Sequence, residues 1–120
     1  MTVPGARAKP TQSPADLLEH EFAQEMASAL GRLGRALEAA LAALADYDAA
    51  HPKGTARSPE ERHARAALVA AAGSALWHFV VQREACGLRD MRYVLRDYRV
   101  PPEVAARMGV MPQTKANPSR

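Results

Sequence analysis

Aromatic side chains make up only 5% of this 120-residue chain: one Trp, three Tyr and two Phe. The β-branched residues that share strand positions with them are also few, which speaks against a β-sandwich or an α/β sheet. The single cysteine, Cys86, cannot close an internal disulfide. That fits a reducing compartment, so the expected location is cytoplasmic. No apolar run approaches the ~20 residues that cross a bilayer, and the opening MTVPGARAKPTQSPAD lacks the apolar core of a secretory signal. No membrane association is therefore expected. Lysine is scarce too, with three against 13 arginines, a bias that carries no functional weight alone. What the chain has in quantity is alanine, 26 residues of the strongest helix former. The reading is one all-α domain.

Residues 1–12, with Pro4, Gly5 and Pro10 and no periodicity, read as a disordered N-terminal arm. Ser13-Pro14-Ala15-Asp16 then carries a helix start: a capping Ser, Pro at the first helical position and an acid in the first turn. Phe22, Met26, Leu30, Leu33, Leu37, Ala40, Leu44 and Tyr47 follow in steps of 4, 4, 3, 4, 3, 4 and 3, close to a heptad seam. This helix should end near Ala50, before His51-Pro52-Lys53-Gly54. Ser58-Pro59-Glu60-Glu61 repeats the start signal as a capping box. The second helix puts Leu68, Ala72, Ala75, Leu76 and Phe79 on one face and should stop at Gly87. A third helix is expected over Leu88 to Tyr98, and a short fourth over Pro102 to Met108 before Gly109. The domain thus covers 13–110, and 111–120 read as a frayed tail.

The first two helices would be roughly 55 Å and roughly 43 Å long, against a radius of gyration near ~14 Å for a compact domain of this size. Two such rods with two short helices leave apolar surface uncovered. Around Trp77-His78-Phe79-Val80-Val81 the second helix is apolar nearly all round. A long antiparallel helical hairpin plus two short C-terminal helices, dimerised into a helical bundle, answers both points. Ala27, Gly31 and Gly34 on the first helix and 70–75 on the second offer small residues for close packing. The glycines imply either a close helix approach or a kink near Gly31–Gly34.

Charge is unevenly spread. Acids outnumber bases 7 to 2 between Asp16 and Asp48, and bases lead 6 to 4 from Arg83 to Arg107. On the expected third helix Arg89, Arg92, Arg96 and Arg99 fall within about 80° of arc. None has a carboxylate three or four residues away inside that helix, so the stripe needs outside anions. One supplier is the acidic first helix of either subunit, through Glu38, Asp46, Asp48 or the Glu19–Glu25 cluster. The other is a phosphate or an acidic partner, with Tyr93 beside the stripe for stacking. Arg83 projects from the apolar face beside Phe79 and Cys86, where an unpaired guanidinium costs several kcal/mol. It is expected to pair with a carboxylate or with helix-end carbonyls, holding the second and third helices in register.

Other chemistry is thin. Glu60-x-x-His63 has the spacing of a di-iron half-site but no second motif, and capping accounts for Glu60. His78 and Cys86, eight residues apart, do not form a ligand pair. No phosphate-binding glycine loop and no GxSxG elbow occur. Val104 to Val110 resembles the first half of a helix-turn-helix, but two prolines follow where a reading helix should stand. No catalytic residue, cofactor or metal is assigned.

Two stretches, residues 18–35 (LEHEFAQEMASALGRLGR) and 76–110 (LWHFVVQREACGLRDMRYVLRDYRVPPEVAARMGV), resemble a family of small, uncharacterised bacterial proteins of unknown function. The resemblance implies a helical fold and brings no activity, ligand or catalytic residue. The residues themselves point to a non-enzymatic protein-protein interaction module working as a homodimer, with an acidic protein as a further partner. The alternative is a binder of nucleic acid or another polyanion through the arginine stripe.

Overall fold

The computed structural model describes residues 13–52 and 56–109. The arm over 1–12 and the tail over 111–120 lie outside them. Helices take up 82% of the described residues and strands none, so the chain is all-α. The elements are α1 (Pro14–Ala50), α2 (Pro59–Ala85), α3 (Met91–Asp97) and α4 (Pro102–Arg107).

Both long helices begin with the same device. Ser13 Oγ accepts from the Asp16 N–H at 3.0 Å and Asp16 Oδ2 accepts from the Ser13 N–H at 3.4 Å. Ser58 and Glu61 repeat the exchange at 3.0 and 2.9 Å. Each box satisfies two backbone donors that a helix start leaves open. At the far end of α2, Gly87 takes φ +87°. This lets the Leu88 N–H reach the Arg83 carbonyl at 2.8 Å and the Gly87 N–H the Glu84 carbonyl at 3.0 Å.

α1 runs unbroken through Gly31 and Gly34. At Gly34 α1 comes close to its neighbours: a Cβ there would lie 3.0 Å from Tyr98 Oη and 3.2 Å from Phe79 Cε1. Near the other end of α1, the Tyr47 hydroxyl donates to the Glu61 carbonyl at 2.8 Å. Position 34 thus faces 79 and position 47 faces 61, so the two helices run in opposite directions where they pack. Gly73 does for α4 what Gly34 does for α2 and Tyr98. A Cβ on Gly73 would sit 2.9 Å from Arg107 Cβ and 3.1 Å from the Arg107 backbone. The core is built from Leu37 and Leu44 of α1, Val69, Ala72, Leu76, Phe79 and Val80 of α2, Val94 of α3 and Val104 of α4. Truncating a side chain such as Leu76, fully buried here, to alanine costs about 2–5 kcal/mol.

Two expectations need correction. The seam expected from Phe22 onward is buried only from the middle of α1: Phe22 and Leu18 are each 66% exposed. Ten more residues in α1 than in α2 make an overhang of about 15 Å, and the first turns of α1 outrun what α2 can cover. The third helix is shorter than Leu88 to Tyr98. Asp90 takes the N-cap position, accepting from the Arg92 N–H at 3.0 Å, and Arg99 turns the chain at φ +52°. α2 is long and apolar enough to cross a bilayer by length and composition, a test that a soluble core helix passes too.

Candidate functional site

The arginine stripe does not form as a single helical face. Only Arg92 and Arg96 lie on α3; Arg89 precedes its N-cap and Arg99 follows its C-cap. Arg92 also has an anion beside it. Its Nε lies 3.3 Å from Asp90 Oδ1, and its Nη2 lies 3.4 Å from Asp90 Oδ2. The Arg92 side chain, and then its backbone N–H, hold the Asp90 carboxyl below the usual carboxylate range. Arg96 Nε lies 3.5 Å from Asp97 Oδ1, and its guanidinium sits 4.9 Å over the Tyr93 ring. Asp90, Arg92, Tyr93 and Arg96 line a hollow of about 260 Å³. The need for outside anions is therefore met in part by neighbours one or two residues away. Such pairs are invisible to a test at three- and four-residue spacing. Arg89 and Arg99 form no ion pair among the described residues.

Arg83 is partly buried and lies 5.9 Å over the Phe79 ring. Its Nη2 reaches the Asp90 carbonyl at 3.5 Å, just ahead of α3. No carboxylate pairs with it among the described residues, so its contact is with a carbonyl and an aromatic face instead of an ion pair. Cys86 is partly buried at the end of α2, 4.0 Å from Gln82 Nε2. Among the described residues, no group of His, Cys, Asp and Glu gathers as metal ligands.

The strongest ionic cluster lies elsewhere, and the sequence reading missed it. Arg65 of α2 donates from Nε to Asp48 Oδ1 at 2.7 Å and from Nη2 to Asp48 Oδ2 at 3.0 Å. The same guanidinium donates to Glu103 Oε1 at 2.9 Å and to Glu103 Oε2 at 2.6 Å. One side chain thereby joins α1, α2 and α4. The hydrogen bonds to Glu103 and then to Asp48 hold the Arg65 guanidinium protonated far above its ordinary range. Asp48, considered above as an anion for the stripe, belongs instead to Arg65. Arg57 extends the cluster, with Nη2 2.7 Å from the His51 carbonyl and 3.5 Å from Asp48 Oδ1. His51 stacks on Tyr47 at 4.0 Å between ring centroids. The available signal was modest: Arg65 is a lone cation in the alanine-rich run ARAALVAAAG. Its partners lie 17 and 38 residues away, beyond any local spacing rule.

Fold and cluster together describe a small all-α chain tied by one arginine across three helices. A model of a family of unknown function (DUF6665) matches residues 7–116, and the chain belongs to that family. No curated protein and no solved structure matches it.

Proposed function

We propose that this chain is a non-enzymatic cytoplasmic interaction module that works as a homodimer, two antiparallel helical hairpins joined into one bundle. The observation that carries this reading is the bare overhang of α1. Leu17, Leu18 and Phe22 are 47–66% exposed there, at the end of the molecule where α2 also leaves Val81 and the following Leu88 exposed. Burying apolar area yields roughly 25 cal/mol per Å², so a partner for this face is favoured. Charge selects a second copy as that partner. The overhang carries Asp16, Glu19, Glu21 and Glu25, and the segment after α2 carries Arg89 and Arg99, which form no ion pair among the described residues, beside Arg92 and Arg96 on Asp90 and Asp97. A two-fold axis lets each acidic overhang lie on the basic segment of the other copy, making the same contact twice.

Native mass spectrometry and sedimentation velocity on untagged protein at low salt test this. The expected species has twice the 12.9 kDa chain mass, and the double variant Leu18→Glu, Phe22→Asp runs as a folded monomer. A monomeric wild-type chain at every concentration contradicts the reading. The polyanion alternative rests on the Arg96–Tyr93 stack and the 260 Å³ hollow beside it. It is the weaker reading, because Arg92 and Arg96 already have carboxylates at hand. Salt-sensitive retention on single-stranded DNA, lost in Arg96→Gln, favours it.

A further inference from the structure

Beyond self-association, and at a different place on the molecule, an open cavity of about 440 Å³ lies between the first half of α2 and α4. Four arginines line it: Arg57, Arg62, Arg65 and Arg107. Volumes of about 300–1,000 Å³ are usual for small-molecule sites.

The charges do not cancel. Glu103 lines the cavity and Asp48 pairs with its arginines, and Arg65 is bonded to both carboxylates. Against four guanidinium groups, this leaves a surplus of two positive charges. Arg57 donates to the His51 carbonyl at 2.7 Å and lies 3.5 Å from Asp48 Oδ1, the carboxylate it shares with Arg65, and Arg62 Nη1 donates to the Arg57 carbonyl at 2.7 Å. A guanidinium carries five N–H donors, so both keep donors to offer. Arg107 is the decisive group. Its Nε is buried with no hydrogen-bond partner, and no ion pair reaches it among the described residues. Buried donors are almost always satisfied, so an orphan needs an explanation. The backbone of Arg107 is held in place where Gly73 lets α4 touch α2. The side chain is thus anchored at its root while its Nε is left without an acceptor. Val69 and Ala106 add an apolar wall.

We infer that this cavity binds a phosphomonoester carried on a small organic group. A dianion matches the surplus of two charges, guanidinium forks match phosphate oxygens, and the apolar wall takes the organic part.

Calorimetric titration with phenyl phosphate, alongside inorganic phosphate and a single-stranded oligonucleotide, tests the site on the full chain. Saturable 1:1 binding of phenyl phosphate is expected, tighter than that of inorganic phosphate. Arg107→Met and Arg62→Gln should each weaken it by about tenfold, and Arg92→Gln should leave it unchanged. Circular dichroism checks the fold of each variant; Arg62 is exposed, so its variant carries the test should Arg107→Met fail to fold. No saturable binding, or binding that both variants leave intact, overturns the assignment. Inorganic phosphate bound as tightly as the ester overturns the organic part. An oligonucleotide that binds more tightly at the same site overturns the small-molecule class.

Discussion

Arg65 holds Asp48 at two points, Nε to Oδ1 at 2.7 Å and Nη2 to Oδ2 at 3.0 Å, and so fastens the end of α1 to the start of α2. Both side chains are largely shielded, 17% and 30% exposed. Removing one partner from a fully buried pair costs about 3–5 kcal/mol. Partial exposure lowers this, so Arg65→Ala is expected to cost about 1–3 kcal/mol in urea denaturation. Arg65→Lys keeps the charge and loses the fork, so it should fall between wild type and Ala. A lysine variant as stable as wild type shows that charge alone, and not the planar geometry, holds the cluster.

The glycines of the two long helices separate cleanly by what surrounds them. A Cβ on Gly31 meets only the flexible end of Arg35 at 3.4 Å, whereas one on Gly73 meets Arg107 backbone at 3.1 Å. Alanine is worth about 1 kcal/mol over glycine inside a helix. Gly31→Ala should therefore raise the melting temperature, and Gly73→Ala should lower stability by about 1–3 kcal/mol through overpacking. Equal shifts of the same sign in the two variants count against the close contact at Gly73.

Arg99 occupies a backbone conformation that L-residues pay for, with φ +52° at the end of α3. The turn it makes is nonetheless fully bonded, the Val100 N–H reaching the Leu95 carbonyl at 3.0 Å. Glycine adopts that conformation without the steric cost of a Cβ, which is about 1–2 kcal/mol per residue. Arg99→Gly is expected to stabilise the fold by up to about 1 kcal/mol in urea, and to weaken the proposed dimer by removing a cation from the basic segment. Destabilisation by this change means that the Arg99 side chain makes a contact that outweighs the strain.

Burial, with the Glu38 charge as the next cause, pushes the Tyr98 hydroxyl up from its ordinary value, while Arg83 opposes the shift. In the unfolded chain the hydroxyl ionises near about 10. Above that pH the unfolded state gives up its proton before the folded state does. The contribution is complete below the unfolded value and is lost as pH rises through the folded one. Tyr98→Phe removes this slope. The stability difference between wild type and Tyr98→Phe should shift in favour of the variant between pH 9 and 11, as read from urea midpoints. A difference that stays constant over that range contradicts the assignment.

The two long helices were legible because their signals are local and repeated. Ser13-Pro14 and Ser58-Pro59 each place a cap, a fixed φ and an acid within four residues, and both caps form as the sequence implies. Gly87 ends α2 for a reason visible in its lack of a side chain. The bounds of α3 were less legible. Asp90 could serve either as a cap or as a helical residue, and a left-handed arginine has no sequence signature. Exposure of Phe22 depends on where α2 stops relative to α1, a relation between segments that no single periodicity carries. The Arg65 cluster was out of reach for the same reason. Its residues meet only after three helices have packed, and each alone reads as an ordinary surface charge.

Six residues make α4 too short to hold a helix on its own, since isolated helices below about 12–15 residues are marginal in water. Its helical state is therefore borrowed from docking, through Val104 in the core, Gly73 against Arg107 and Glu103 on Arg65. Undocking and unwinding become a single event, and the amides of α4 should exchange with solvent together, ahead of those in the middle of α2. In folding, the same dependence is expected to place this segment last, as a latch that closes only once the long helices have formed the surface it needs.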